Sequence, residues 1–200
     1  MPRPDQTEER RREFAPVLAR TFADLGYRRT TTAALAAACE VQETILYRLW
    51  PDKRAMFIAA LEFVYAASER TWTRLLEQAG PQDSPAETLL RYEATHHGEF
   101  GLYRIVFAGW SETDDPEIRA ALRGLYRSFH AFVQGRLEEH HRRRGATPAL
   151  DPALAAWTIL GLGTVANVGR ELGLLPPAAR RELFEQLGRL LLLAEGDSRV

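Results

Sequence analysis

GYRRTTTAALAAACEVQETILYRLWPDKRAMF, residues 26–57, is the stretch that decides the fold. Thr30, Thr31 and Thr32 offer N-caps to a helix running through Ala33, Leu35, Ala36 and Cys39. A short turn follows, and then a second helix from about Gln42 to Trp50. Two short helices joined by a tight turn form a helix-turn-helix. Leu35, Val41, Leu46 and Trp50 supply the apolar contacts that lock the pair against the helix before it. On the second helix Gln42, Glu43, Thr44, Tyr47 and Arg48 occupy the first turns, where a recognition helix meets base edges and phosphates. Arg48 suits guanine, Gln42 suits adenine, and Glu43 can accept from a cytosine amino group. Tyr47 and Lys53 suit phosphate oxygens. Lys53 is the only lysine among 26 Lys and Arg residues. It stands at the start of the next helix, where a cation opposes the helix dipole unless an anion approaches from outside. Periodicity alone fits any short helical hairpin equally well.

On either side, helix signals continue and strand alternation does not, which predicts an all-α chain. Thr7 can cap a first helix whose apolar face is Phe14, Val17, Leu18, Phe22 and Leu25, with Gly26 ending it. Pro16 inside that helix removes a hydrogen bond and crowds residue 12, so a kink near 12–16 or a late start is expected. Ser84-Pro85, Asp115-Pro116 and Asp151-Pro152 each pair a capping side chain with proline at the first helical position. Gly80, Gly145 and Gly173 stand where helices stop. The implied helices are about 52–79, 84–98, 100–111, 116–144, 151–172 and 177–195. Residues 1–54 are thereby expected to form a three-helix domain and residues 55–200 a larger helical one.

Residues 154–172, LAAWTILGLGTVANVGREL, are apolar or small nearly all the way round, and such a helix needs burial on two sides. Gly161, Gly163, Ala166 and Gly169 permit close approach of a second helix, and Leu183, Phe184, Leu187, Leu190, Leu191 and Ala194 form a stripe on the last helix. Together they read as half of a four-helix homodimer interface, with Gly161, Gly163, Ala166, Leu187 and Leu191 in the contact. A wholly intramolecular core is the other arrangement these residues allow. Between them and the head, residues 92–132 gather Tyr92, Phe100, Tyr103, Phe107, Trp110, Tyr126, Phe129 and Phe132 around His96, His97 and Arg104. That set can line an apolar pocket with polar anchors, or serve as plain core.

Composition bounds the function. The 200 residues are 46% hydrophobic with a net charge of −1, enough for one sizeable core or two small ones. Residues 1–54 carry 10 basic and 8 acidic groups, an excess that permits nucleic-acid binding without identifying it. Cys39 is the one cysteine, so no internal disulfide forms. The polar N-terminus MPRPDQTEERRREF has no apolar leader segment, and no uninterrupted apolar run approaches the roughly 20 residues of a membrane span. A cytoplasmic protein without membrane contact is expected. Adjacent His96-His97 and His140-His141 point about 100° apart on a helix and ligate one metal poorly, so neither metal nor cofactor is expected. Phosphate loops, HExxH and G-x-S-x-G are missing, which argues against an enzyme.

The order of residues adds to this. GY-x-x-TTT, then L-A-A-A-C-x-V, then T-I-L-Y-R-L-W-P-D-K resembles the N-terminal domain of the tetracycline-repressor (TetR) family of bacterial transcription regulators, over residues 8–57. The resemblance implies phosphate contacts at Thr31, Thr32, Tyr47 and Lys53, and groove contacts at Gln42, Glu43, Thr44 and Arg48. For residues 55–200 it implies ligand binding and dimerisation, with Tyr92, His96, Phe100, Tyr103, Arg104, Phe107, Trp110 and Phe129 as candidate contacts to a small apolar or aromatic ligand. The whole then reads as a ligand-responsive repressor holding an inverted-repeat operator in double-stranded DNA as a homodimer. A helical carrier or adaptor without specific DNA binding is the rival. Glu40 stands where the family commonly has glycine, leaving the turn conformation open. Glu43 carries negative charge towards DNA, so affinity is expected to lean on Arg10, Arg11, Arg12, Arg28 and Arg29.

Overall fold

The computed structural model describes residues 4–80 and 82–197. Within them the chain is built from α1 (Pro4–Leu25), α2 (Thr32–Ala38), α3 (Glu43–Leu49), α4 (Lys53–Gln78), α5 (Pro85–His96), α6 (Tyr103–Trp110), α7 (Pro116–Arg144), α8 (Pro152–Glu171) and α9 (Pro177–Leu191). The outermost residues of the two expected domains, 1–3 and 198–200, lie outside the described residues.

Two compact units result: the chain up to Ser68 with Phe100–Tyr126, and Glu69–Glu99 with the chain from Arg127 onward. The boundaries fall inside α4 and α7. In the first unit α1 buries Phe14, Leu18 and Phe22 against α2, α3 and α6. Phe22, Tyr27 and Phe57 form an aromatic knot, with Phe57 edge-on at 5.0 Å to each of the other two rings. Gly109 on α6 admits close approach of α7, since a Cβ there would stand 3.2 Å from Leu122. In the second unit α5 and α8 pack on α9 around Phe184, Ala94, Leu162 and Ala166. A further cluster joins Ala86, Leu137, Ala155, Ala156 and Leu192.

Asp151 caps α8 through Oδ1, which accepts from the Ala153 and Leu154 amides at 2.8 and 3.2 Å. Ser84 caps α5, and Asp115 caps α7. Two expectations change. The first helix begins at Pro4, with proline in the first turn, so Thr7 is not its cap; it runs on through Pro16 and does not start late. The last helix stops at Leu191 rather than 195, because Leu193 O and the Glu195 amide pair with the Ala149 amide and Thr147 O. Finally, α8 has the length and average hydropathy of a membrane-crossing helix, although Thr158, Thr164, Asn167 and Arg170 interrupt its apolar residues.

Candidate nucleic-acid interface

The α2–α3 pair is held from both ends. Thr31 Oγ1 caps α2 by accepting from the Ala34 amide at 3.1 Å. At the other end, the Glu40 amide donates to Ala37 O and the Val41 amide to Ala36 O, a Schellman stop with Glu40 at φ 57. Turn conformation is thereby settled: the residue that replaces glycine adopts the left-handed geometry itself. Leu46, Leu49 and Trp50 bury one side of α3. Its last carbonyl is closed by Arg11, whose Nε and Nη2 donate to Leu49 O at 3.0 and 2.6 Å.

What remains outside on α3 is the set expected to face a groove: Gln42, Glu43, Thr44, Tyr47 and Arg48 are all exposed. Among the described residues Gln42, Thr44 and Arg48 make no side-chain hydrogen bond, so their donors and acceptors are unpaired on the surface. Tyr47, 48% exposed, donates to Thr32 Oγ1 at 3.2 Å, and Thr32 donates to Glu43 Oε2 at 2.6 Å. The expected phosphate donors Thr32 and Tyr47 are therefore already engaged with each other and with Glu43.

Lys53 departs further from expectation. Its Nζ donates to Tyr27 O and to Thr30 O, both at 3.1 Å, and lies 4.4 Å from the centre of the Tyr27 ring. Two of three ammonium donors thus serve the main chain of the turn between α1 and α2. The lysine clamps that turn to the start of α4, which accounts for a cation at a helix N-terminus without invoking an outside anion. Of the supporting arginines, Arg11 is committed to Leu49 O, Arg29 to Leu25 O at 2.8 Å, and Arg28 to the buried Glu112 carboxylate at 2.8 Å. Arg10 and Arg12 stay exposed.

The sequence reading missed the acidic side of this unit. Glu112 holds Arg28, while Arg54 reaches Glu117 at 2.9 Å, Asp115 at 3.4 Å and Asp52 at 3.6 Å. The Asp115 carboxyl is held below its ordinary range by the Ile118 and Glu117 amides and by Arg54. Burial, aided by Asp115, Asp52 and Glu112, pushes the Tyr27 phenol upward. Only the Asp115-Pro116 cap signal marked this region in the sequence. Burial also pushes the Cys39 thiol to about 11, so it stays protonated and unreactive.

The expected ligand contacts are distributed over both units. Tyr103, Phe107 and Trp110 form successive edge contacts at 6.1 and 6.5 Å in the first, where Phe100 and Trp110 are exposed. Tyr92 lies against His96 at 4.6 Å, and Phe129 against Trp72 at 5.6 Å, in the second. Arg104, on α6, belongs to the first unit. A polar string that brings in two residues not expected, Trp72 and Glu93, crosses the second unit: Trp72 Nε1 donates to Glu93, whose other oxygen meets His97 Nδ1 at 2.7 Å, and His97 Nε2 meets Gly163 O at 3.0 Å.

Gly163 and Ala166, expected at a subunit contact, are buried inside their own protomer. A Cβ on Gly163 would stand 2.9 Å from His97 Cε1, so no second chain fits there. Leu187 and Leu191 are half-buried against the internal clusters. Gly161 alone of the five lies on the open side of α8. That side is a stripe of Leu154 (58% exposed), Trp157 (49%), Gly161, Val165 (57%), Val168 and Leu172.

A profile of the bacterial regulatory proteins of the tetR family matches residues 17–60, the segment holding the end of α1, the α2–α3 pair and the start of α4. The nucleoid occlusion factor SlmA of Citrobacter koseri is 30% identical over 137 residues, 68% of this chain and 69% of that protein. The chain belongs to the tetR family. A TetR-family transcriptional regulator from Cytophaga hutchinsonii has the same fold, with TM-score 0.78 over 96% of this chain and 98% of that one at 18% identity. AibR, solved with isovaleryl coenzyme A and operator DNA, shares it too, with TM-score 0.65 over 92% and 99% at 16% identity. TetR membership makes the α2–α3 pair the helix-turn-helix of a DNA-binding domain.

Proposed function

We propose that this chain is a ligand-responsive repressor that holds an inverted-repeat operator as a homodimer, with residues 1–54 reading DNA and residues 55–200 binding ligand and partner. The observation that carries it is the pairing of two unpartnered faces: a polar face on α3 with three uncommitted side chains, and an apolar stripe on α8. Leaving Leu154, Trp157, Val165 and Leu172 in water is costly, at roughly 25 cal/mol per Å² of apolar surface, and a twofold contact between two copies of α8 would remove it. A dimer also sets two heads at the spacing of successive major grooves, about 34 Å. A small apolar or aromatic effector is carried into this reading by the family resemblance, and a cytoplasmic regulator with no catalytic role follows from the same reading.

Selection of bound duplexes from a randomised library at about 150 mM salt tests the proposal, since weak charge attraction is largely screened there. A twofold-symmetric motif is the expected product. Recovery of no motif would favour a helical carrier or adaptor. Val165→Arg, on the open side of α8, should give a monomer by sedimentation and lose the motif; an unchanged mass would remove α8 from the interface.

A further inference from the structure

Glu43, Thr32 and Tyr47 form a linear hydrogen-bond relay between α2 and α3, and two of its members, Thr32 and Tyr47, are residues to which the family resemblance assigns phosphate contacts. Its direction is forced. An ionised carboxylate only accepts, so the single Thr32 hydroxyl proton goes to Glu43 Oε2, 2.6 Å away, and Tyr47, at 3.2 Å, must then donate to Thr32 Oγ1. The 2.6 Å separation is that of a charge-assisted bond. The Thr32 proton is thus turned to a carboxylate of this chain and the Tyr47 proton to Thr32, so both protons that a phosphate oxygen would take are already engaged. Glu43 lies in the first turn of α3, and among the described residues no cation is paired with it.

We propose that Glu43 is an internal stand-in for phosphate that makes DNA binding conditional on the base it meets. The inference rests on the DNA-reading function proposed above. A phosphate oxygen bonded to Thr32 at about 2.7 Å would need the proton Glu43 holds. It would also place a second negative charge within about 5 Å of the carboxylate, where like charges repel appreciably even at a wet surface. Docking therefore requires the Glu43 side chain to leave Thr32. In the groove it recovers a partner only where an exocyclic amino group points at the start of α3, as cytosine N4 does. On such a site the displaced carboxylate is satisfied again, and Thr32 and Tyr47 are free to donate to phosphate. On any other sequence Glu43 is stranded against the phosphates. Glu43 is in this sense a specificity-determining residue that acts through two positioning hydroxyls: it weakens sequence-independent binding more than operator binding.

The test is the affinity of the full chain for a random-sequence duplex of about 20 base pairs at about 150 mM salt, read by fluorescence anisotropy, beside the duplex recovered by selection. Glu43→Ala should bind the random duplex about tenfold tighter than the unaltered protein, the combined worth of the relieved repulsion and of the freed Thr32 hydroxyl. Its preference for the selected duplex should shrink by a similar factor. Glu43→Gln, neutral and of the same size, should give a gain in the same direction and guards against loss of the helix end in the alanine variant. In a Thr32→Val background the Glu43→Ala gain should fall to less than half, because the hydroxyl it liberates is gone. Unchanged or weaker random-duplex binding by both Glu43 variants, with the unaltered protein binding its selected site, would overturn the inference alone. An equal gain with and without Thr32 would reduce Glu43 to a plain surface charge and overturn it as well. No duplex binding by any form would sink the DNA-reading function and this inference together.

Discussion

Replacing Glu40 by glycine should stabilise the protein, and the structure sets the size. Glu40 sits at φ 57, where the Cβ of an L residue crowds the following carbonyl at a cost of about 1–2 kcal/mol. It nevertheless completes the same pair of stop bonds that end α7 and α8, where Gly145 at φ 60 and Gly173 at φ 65 occupy the equivalent position. Glycine removes the crowding but enlarges the unfolded ensemble, which returns roughly 0.5–1 kcal/mol. The net expectation for Glu40→Gly is about 0.5–1 kcal/mol of added stability, or a midpoint rise of about 1–4 °C for a chain of this length. Gly145→Glu is the mirror exchange. Nothing lies within 4 Å of a Cβ built there, so its loss reports the backbone alone and should be of similar size. Urea unfolding with an unchanged slope is the assay. If Glu40→Gly left the midpoint unaltered while Gly145→Glu lowered it, strain at residue 40 would not be the reason for either change.

Lys53→Met should cost about 1–3 kcal/mol, since two main-chain carbonyls lose a charged donor, and the loss should appear in thermal unfolding without DNA. Weakened DNA binding at unchanged stability would return Lys53 to a phosphate role. Gly163→Ala should cost about 1–3 kcal/mol because its Cβ meets His97 at 2.9 Å, whereas Gly124→Ala on α7, with nothing within 4 Å, should cost nothing by the same melt. Burial holds the His140 and His141 imidazoles below their ordinary 6.5. The unfolded chain therefore takes up their protons first on acidification: stability is full above that pH and falls below it, and urea midpoints measured across the range should decline in that direction. His140→Asn should flatten the decline.

Helix boundaries were legible because they are written in short-range chemistry. Ser84, Asp115 and Asp151 each precede a proline and each caps a helix through its own side-chain oxygen. The exposed face of α3 was legible for a related reason: Leu46 and Trp50 had to turn inward, which leaves Gln42, Thr44, Tyr47 and Arg48 outside. Partnerships across long stretches of chain were not. Nothing near Lys53 announces that residues 27 and 30 will bring their carbonyls to it, and nothing near Arg28 points to Glu112, 84 positions later. The α8 glycines illustrate the same limit. Small residues at 161 and 163 both signal close approach, yet a helix turns about 100° per residue, so the two point in different directions. One meets His97 and the other meets open space.

The first unit also bears on how such a protein can be taken apart. Arg20 donates to Phe100 O at 2.7 Å, Arg28 holds Glu112, and Arg54 holds Asp115 and Glu117. Every one of these ties leaves the first 54 residues and lands between 100 and 117. A graft that transplants a reading head by cutting the gene once, after residue 54, severs all of them together. It strands three guanidinium groups on one fragment and their acceptors on the other. The transferable block is discontinuous, so an exchange of heads between relatives that keeps these ties must carry residues 100–126 as a second insert.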